Sequence, residues 1–271
     1  PGLCGCGTVD SDDDGDGIAD CLDGAFDVPE DYPTIKLAVE TAPDQAIINV
    51  ASGLFVIDDD INLMGKKVII RGAVNSEGLP ATVLNGQGIN RIFTINNGED
   101  EQTVIENLRI MNGFSANSGG MSIDASSPTI RNCIFADNTA NNGAGVYIRS
   151  ASPTFINCSF IRNSAAVRGG GIYLRQDCSP IFTDCVFAEN TAVNENGTAL
   201  SNYGTGAPVL SGVSVCGHLG EAIYGDYENN GICLSSNCLD ENKDGDPDSC
   251  ESDAICLGDL DLDGTIGGGD L

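Results

Sequence analysis

The chain has 271 residues, 41% of them hydrophobic, with 35 glycines, no tryptophan and a formal net charge of −28. That length and apolar content suit one large domain or two small ones, and exclude a chain disordered by composition. So acidic a chain is a poor partner for nucleic acid or an anionic membrane surface, and no apolar run approaches the ~20 residues that cross a bilayer. No signal peptide opens the chain, which begins at Pro1 as a mature or excised fragment would.

The first segment, residues 1–27, is acidic and contains cysteine. Residues 1–31 carry ten acids and no Lys or Arg. Asp12, Asp14, Asp16, Gly17, Asp20 and Asp23 fall at positions 1, 3, 5, 6, 9 and 12 of an acidic calcium loop. In such a loop the oxygens surround Ca2+ and the glycine permits the turn. Starting the loop at Asp10 would put Cys21 at position 12, a poor ligand for calcium. Cys4, Cys6 and Cys21 here, with Cys216, Cys233, Cys238, Cys250 and Cys256 at the other end, point to an oxidising, extracellular setting.

Residues 28–215 are expected to form the main domain, and their strongest signal is self-similarity. Three segments align: Ser-Pro-Thr-Ile-Arg-Asn-Cys-Ile-Phe-Ala-Asp-Asn from 127, Ser-Pro-Thr-Phe-Ile-Asn-Cys-Ser-Phe-Ile-Arg-Asn from 152, and Ser-Pro-Ile-Phe-Thr-Asp-Cys-Val-Phe-Ala-Glu-Asn from 179. Between them recurs a glycine followed by alternating apolar residues, as in Gly145-Val146-Tyr147-Ile148 and Gly171-Ile172-Tyr173-Leu174. Period-2 runs broken by Gly, Asn and Pro mean short strands and corners. A repeat near 25 residues is too short for a propeller blade and suits one solenoid turn, stacked on the next at about 4.8 Å. In-register stacking then builds columns: Cys133, Cys158 and Cys185; Phe135, Phe160 and Phe187; Asn138, Asn163 and Asn190.

The same register predicts a binding face. With Val146, Ile148, Ile172 and Leu174 inward, Tyr147, Arg149, Tyr173 and Arg175 point outward on successive coils, with Asp124 one coil below Arg149. Aromatic rings beside charges suit sugar rings or a partner protein, although an ordinary strand surface reads the same way. Asp58-Asp59-Asp60 reads as a solvated corner and the lone His218 as a structural or exposed histidine. No paired-carboxylate, Ser-His-Asp, phosphate-loop or zinc spacing stands out, so catalytic residues are not assigned.

Residues 216–251 form a Cys-rich segment with a second calcium loop: Asp240, Asn242, Asp244, Gly245, Asp248 and Glu251. Residues 252–271 hold a third: Asp259, Asp261, Asp263, Gly264 and Asp270. Residues 238–271 carry eleven acids against Lys243 alone, a density that cations would relieve.

Several of these motifs resemble known families. Phe-x-x-Asn-(Ser/Thr)-Ala followed by Gly-Gly-Gly-Ile or Gly-Ala-Gly-Val is similar to the repeat of chlamydial-type polymorphic outer membrane proteins. Val28-Pro29-Glu30-Asp31-Tyr32-Pro33-Thr34-Ile35, then Ala38-Val39 and Ile48-Asn49-Val50-Ala51-Ser52-Gly53-Leu54-Phe55, resembles the first coil of pectin-lyase-like β-helices. The resemblance implies an all-β, right-handed parallel β-helix of six to eight coils, capped by a short helix over 34–42. The first two calcium loops resemble thrombospondin type 3 repeats, and Gly258-Asp259-Leu260-Asp261-Leu262-Asp263-Gly264 resembles half of a dockerin. The combined expectation is an extracellular, calcium-stabilised structural or adhesive protein, assembling end to end with copies of itself as a fibre or surface layer. The alternative is a polysaccharide-binding module, or a polysaccharide lyase or hydrolase.

Overall fold

Runs of three or four alternating apolar residues, each ended by Asn, Asp or Gly, give strands too short to pair within one coil, so every strand pairs with its counterpart one coil away. In the computed structural model they wind into a parallel β-solenoid of about seven turns with one helix. The described residues are 25–194, 196–217 and 221–235, with the short strands Cys238–Leu239, Ser249–Cys250 and Ile255–Leu257. The three calcium-loop sets (Asp12, Asp14, Asp16, Asp20, Asp23; Asp240, Asn242, Asp244, Asp248, Glu251; Asp259, Asp261, Asp263, Asp270) and His218 lie outside them. Parallel pairing begins at Ala25 and continues to Ser235, a wider span than the expected 28–215.

The coils share three faces. A seven-stranded sheet climbs from Ile61–Asn62 through Phe93–Ile95, Met121–Asp124, Val146–Arg149 and Ile172–Arg175 to Asn196–Asn202 and Glu221–Tyr224. A four-stranded sheet holds Phe114–Asn117, Thr139–Asn142, Ser164–Arg168 and Thr191–Ala192. The third is a sixteen-stranded sheet in which two parallel stacks meet at the long strand Val209–Cys216. That strand pairs with Ile181–Thr183 through its first half and with Val186–Ala188 through its second. The carboxyl edge then changes direction: Ile255–Leu257 pairs antiparallel with Ile232–Leu234.

The amino end closes with the expected helix, α1 (Ile35–Thr41). Thr34 caps it by accepting from the Leu37 amide at 3.2 Å, satisfying one of the free first-turn donors. Ile35, Ala38 and Val39 bury its inner face. Lys66 Nζ, from a neighbouring coil, donates to the carbonyls of Val39, Glu40 and Ala42 at 2.7, 2.9 and 2.7 Å, tying down the other end.

The columns form as expected. Phe135, Phe160 and Phe187 stack with centroids 5.1 and 4.7 Å apart, and a second column, Phe155 over Phe182 at 5.0 Å, meets them edge-on. These rings are among the largest fully buried side chains, and truncating Phe160 to Ala costs roughly 3–5 kcal/mol. Cys133, Cys158 and Cys185 are buried free thiols, as is Cys178; Cys216 and Cys233 are not among the free thiols. The corners after the short strands use left-handed residues in register: Asn107, Asn132, Asn157 and Asp184 have φ between 48° and 59°. Asn and Asp tolerate that conformation best among residues with a Cβ.

Candidate ligand-binding cleft

The outward residues of Val146–Arg149 and Ile172–Arg175 fall in register, Tyr147 beside Tyr173 and Arg149 beside Arg175. Neither tyrosine joins the apolar core, and the rings are 5.6 Å apart. Asp124 sits one coil below Arg149 and pairs with it. These are the relationships the repeat spacing predicts.

Accessibility differs from the expectation. Tyr147 and Tyr173 are only 6% and 7% exposed. The corner before each strand is tight: Gly143 (φ 58°) and Gly169 (φ 62°) are left-handed, and a Cβ on either would meet the carbonyl of Val146 or Ile172. A Cβ at Gly169 would lie 2.9 Å from Tyr173 Cβ, so only glycine fits there. Both tyrosines therefore expose little of their rings.

One coil higher the row changes. Ser201 occupies the tyrosine position, paired with Tyr173 below and Tyr224 above. Tyr203, two residues on, fills the gap with its ring, 6.1 Å from Tyr173 and 5.2 Å from Tyr224. It is 42% exposed and is the accessible ring of the stack. The Tyr203 hydrogen bond pushes the Tyr224 hydroxyl above its ordinary pKa.

The opposite wall comes from the four-stranded sheet, where Asn117, Asn142 and Arg168 are in register. The pairing of Thr139–Asn142 with Ser164–Arg168 shifts register at its end, which brings Arg168 to the row. Its guanidinium carbon lies 4.0 Å from the centroid of Tyr203, a cation–π contact. Between the walls is a cleft of about 460 Å³ lined by Tyr147, Tyr173, Tyr203, Arg168, Arg175 and Asn142, among others. Arg149 is neutralised by Asp124, whereas among the described residues Arg168 and Arg175 have no ion pair. Arg168 Nε and Ser201 Oγ are buried and have no hydrogen-bond partner among the described residues.

The sequence pattern places Tyr147, Arg149, Tyr173 and Arg175 together but misses Arg168, Tyr203 and Tyr224. The only trace of Tyr203 is a tyrosine two positions late in a coil whose expected tyrosine is Ser201.

The Asp58-Asp59-Asp60 corner is solvent-exposed at Asp58 and Asp59, and two of its carboxylates have partners. Asp59 pairs with Lys36 of α1, and Asp60 accepts from Thr94 Oγ1. Arg91 beside them spends its guanidinium on Thr94, Ser115 and the carbonyls of Asn117 and Ser118. Among the described residues, no group of three or more His, Cys, Asp or Glu side chains is arranged to hold a metal, and no helix is long and apolar enough to cross a membrane.

The family described as right handed beta helix region matches residues 90–257. No curated protein matches the chain in sequence. Among solved structures, pectin methylesterase PemA from Erwinia chrysanthemi is similar at TM-score 0.44 and 11% identity, over 78% of this chain and 81% of that one. A pectin methylesterase in complex with hexasaccharide VII gives TM-score 0.44 and 11% identity over 75% and 78%. Escherichia coli ybhc gives the same two values over 76% and 75%. At that distance no site residue carries across.

Proposed function

This chain belongs to the right-handed β-helix family, and from that premise we propose that it is an extracellular adhesive solenoid that binds polysaccharide in the Tyr–Arg cleft. The observation that carries this reading is the row of tyrosines climbing the coils beside two arginines without acidic partners. Tyrosine rings give sugar rings an amphipathic surface, and guanidinium and amide groups supply directed donors for their hydroxyls. Binding fits this cleft better than cleavage, because glycoside hydrolysis needs two placed carboxylates and the described lining residues include none.

The remaining parts of the reading rest on composition. The acid-dense ends, with their three loop patterns, support calcium as the ion that secures the termini, and their cysteines support an oxidising, extracellular location. Copies joining end to end would do so through those loops, since the antiparallel strand Ile255–Leu257 already covers one sheet edge.

The test is retention on a panel of immobilised polysaccharides in millimolar calcium, comparing the full chain with Tyr203→Ala. We expect retention on at least one polysaccharide, loss of it in the variant, and no release of reducing ends or unsaturated products. Product release would make the protein an enzyme, and equal retention of both proteins would remove the cleft from the function.

A further inference from the structure

We infer that the cleft selects a glycan whose acidic groups are sparse, separated by neutral sugars, and discriminates against both neutral chains and chains acidic at every sugar. The inference rests on the cleft being a polysaccharide site and adds the class of chain it takes.

Three observations combine. First, the cleft is a local cationic spot: Arg168 and Arg175 line it without acidic partners among the described residues, while Arg149, on the same strand face, is cancelled by Asp124. Second, Arg168 Nε, in the cleft wall, is a buried donor without an acceptor among the described residues. Buried polar atoms are seldom left unpaired, and a carboxylate or sulfate oxygen is a strong acceptor for a guanidinium. Third, the surroundings are negative. Residues 32–237 carry nineteen acids against eleven bases, and the whole chain is −28.

Two arginines can neutralise an isolated acid group. They cannot offset the repulsion that a densely charged polyanion meets from the rest of the chain. A neutral chain, conversely, leaves the donors without a charged acceptor. The tyrosines select neither way, because ring contact is indifferent to charge several ångströms off. The favoured ligand therefore places one carboxylate or sulfate at the arginines and a neutral sugar against Tyr203.

The experiment is calorimetric titration of the full chain, in calcium, with length-matched oligosaccharides from dextran (neutral), gellan (uronates spaced by neutral sugars), a lightly sulfated dextran, and polygalacturonate (acidic at every sugar). Spaced-acid chains should bind most tightly, and whether gellan or sulfated dextran leads identifies the acid group. Arg168→Gln and Arg175→Gln should each weaken that binding about tenfold and weaken dextran binding by a smaller factor. Far-UV circular dichroism confirms that both variants fold. Tightest binding to polygalacturonate overturns the inference, as does unchanged affinity in both variants. Dextran binding as tightly as gellan, and lost in Tyr203→Ala, overturns it while leaving the polysaccharide site in place. No binding to any of the four chains removes the inference, and failure on the wider panel as well removes the site.

Discussion

Asn163 joins Asn190 through the core: its side-chain amide donates to Asn190 Oδ1 at 2.9 Å, and its backbone N–H donates to the same oxygen at 3.0 Å. One coil below, Asn163 Oδ1 receives both bonds from Asn138 at 3.0 and 3.1 Å, and Asn163 Nδ2 also reaches the Phe135 carbonyl at 2.9 Å. Each rung thus satisfies backbone groups of its own corner and of its neighbours.

Asn163→Leu keeps the branched shape but strands the Asn138 N–H in the core and takes the side-chain donor from the Phe135 carbonyl. A buried unpaired donor costs about 1–3 kcal/mol and a lost hydrogen bond about 1 more, so the variant should lose roughly 2–4 kcal/mol, read as a lowered urea midpoint. Asn163→Asp should also destabilise near pH 7, because it loses the donors and buries a charge. A midpoint within experimental error of wild type would show that the ladder is not needed.

Glu106 divides its carboxylate between Arg71 and Arg131 on neighbouring coils, and its side chain is almost buried. Burial alone would raise its pKa, but the hydrogen bonds from the two guanidiniums override it and hold the carboxyl below its ordinary value. A depressed carboxyl stabilises the fold above its unfolded pKa of about 4.3 and ceases to do so as pH falls through the folded value. Glu106→Gln should therefore cost about 2 kcal/mol at pH 7, discounted for the half-exposed arginines, and less at pH 3. Equal costs at both pH values would separate the effect from charge.

The thiols give the opposite dependence. Burial pushes Cys133 up to about 12 and also raises Cys178 and Cys185. A raised thiol stabilises fully below its unfolded value of about 8.5 and loses that contribution as pH rises toward the folded value. The urea midpoint should fall between about pH 9 and 12, less steeply in Cys133→Ala than in wild type. Native protein at pH 8 should leave the buried thiols of Cys133, Cys158, Cys178 and Cys185 unmodified by an aromatic disulfide reagent until it is unfolded.

Lys66→Met leaves three carbonyls at the end of α1 without their donor. Amide exchange should quicken over residues 35–41 and cost that segment about 2 kcal/mol of protection, while the coils over 121–190 stay unchanged. Uniform loss of protection would mean that the cap and the coils open together.

Chelating calcium and then applying limited proteolysis should clip residues 1–27 and 238–271 first and leave a resistant body, because the acids cluster at the ends and the coil core is apolar. A whole chain that melts at once on chelation would place calcium in the body's stability as well.

The solenoid and its columns are legible in the sequence because stacking reuses one residue type per position: three aligned Asn-containing segments are already a ladder on paper. The cleft is only half legible for the same reason. Tyr147 and Tyr173 repeat and are found, whereas Tyr203 works by leaving the repeat. Arg168 reaches the cleft through a register shift that no spacing announces. Burial was the other blind spot. Alternation says that Tyr147 points away from the core, but it cannot say that the residue is only 6% exposed there.

A parallel stack is its own template, since the last coil offers the next the same rungs, rings and strand edges it received. The reversed strand Ile255–Leu257 breaks that templating, because an antiparallel partner presents the wrong hydrogen-bond pattern for another coil. Coil number is thus set by where the terminator falls rather than by any preference of the coils themselves. Duplicating residues 139–163 should yield a protein one coil longer, with its ladders unbroken and its cleft extended by a further Tyr–Arg row.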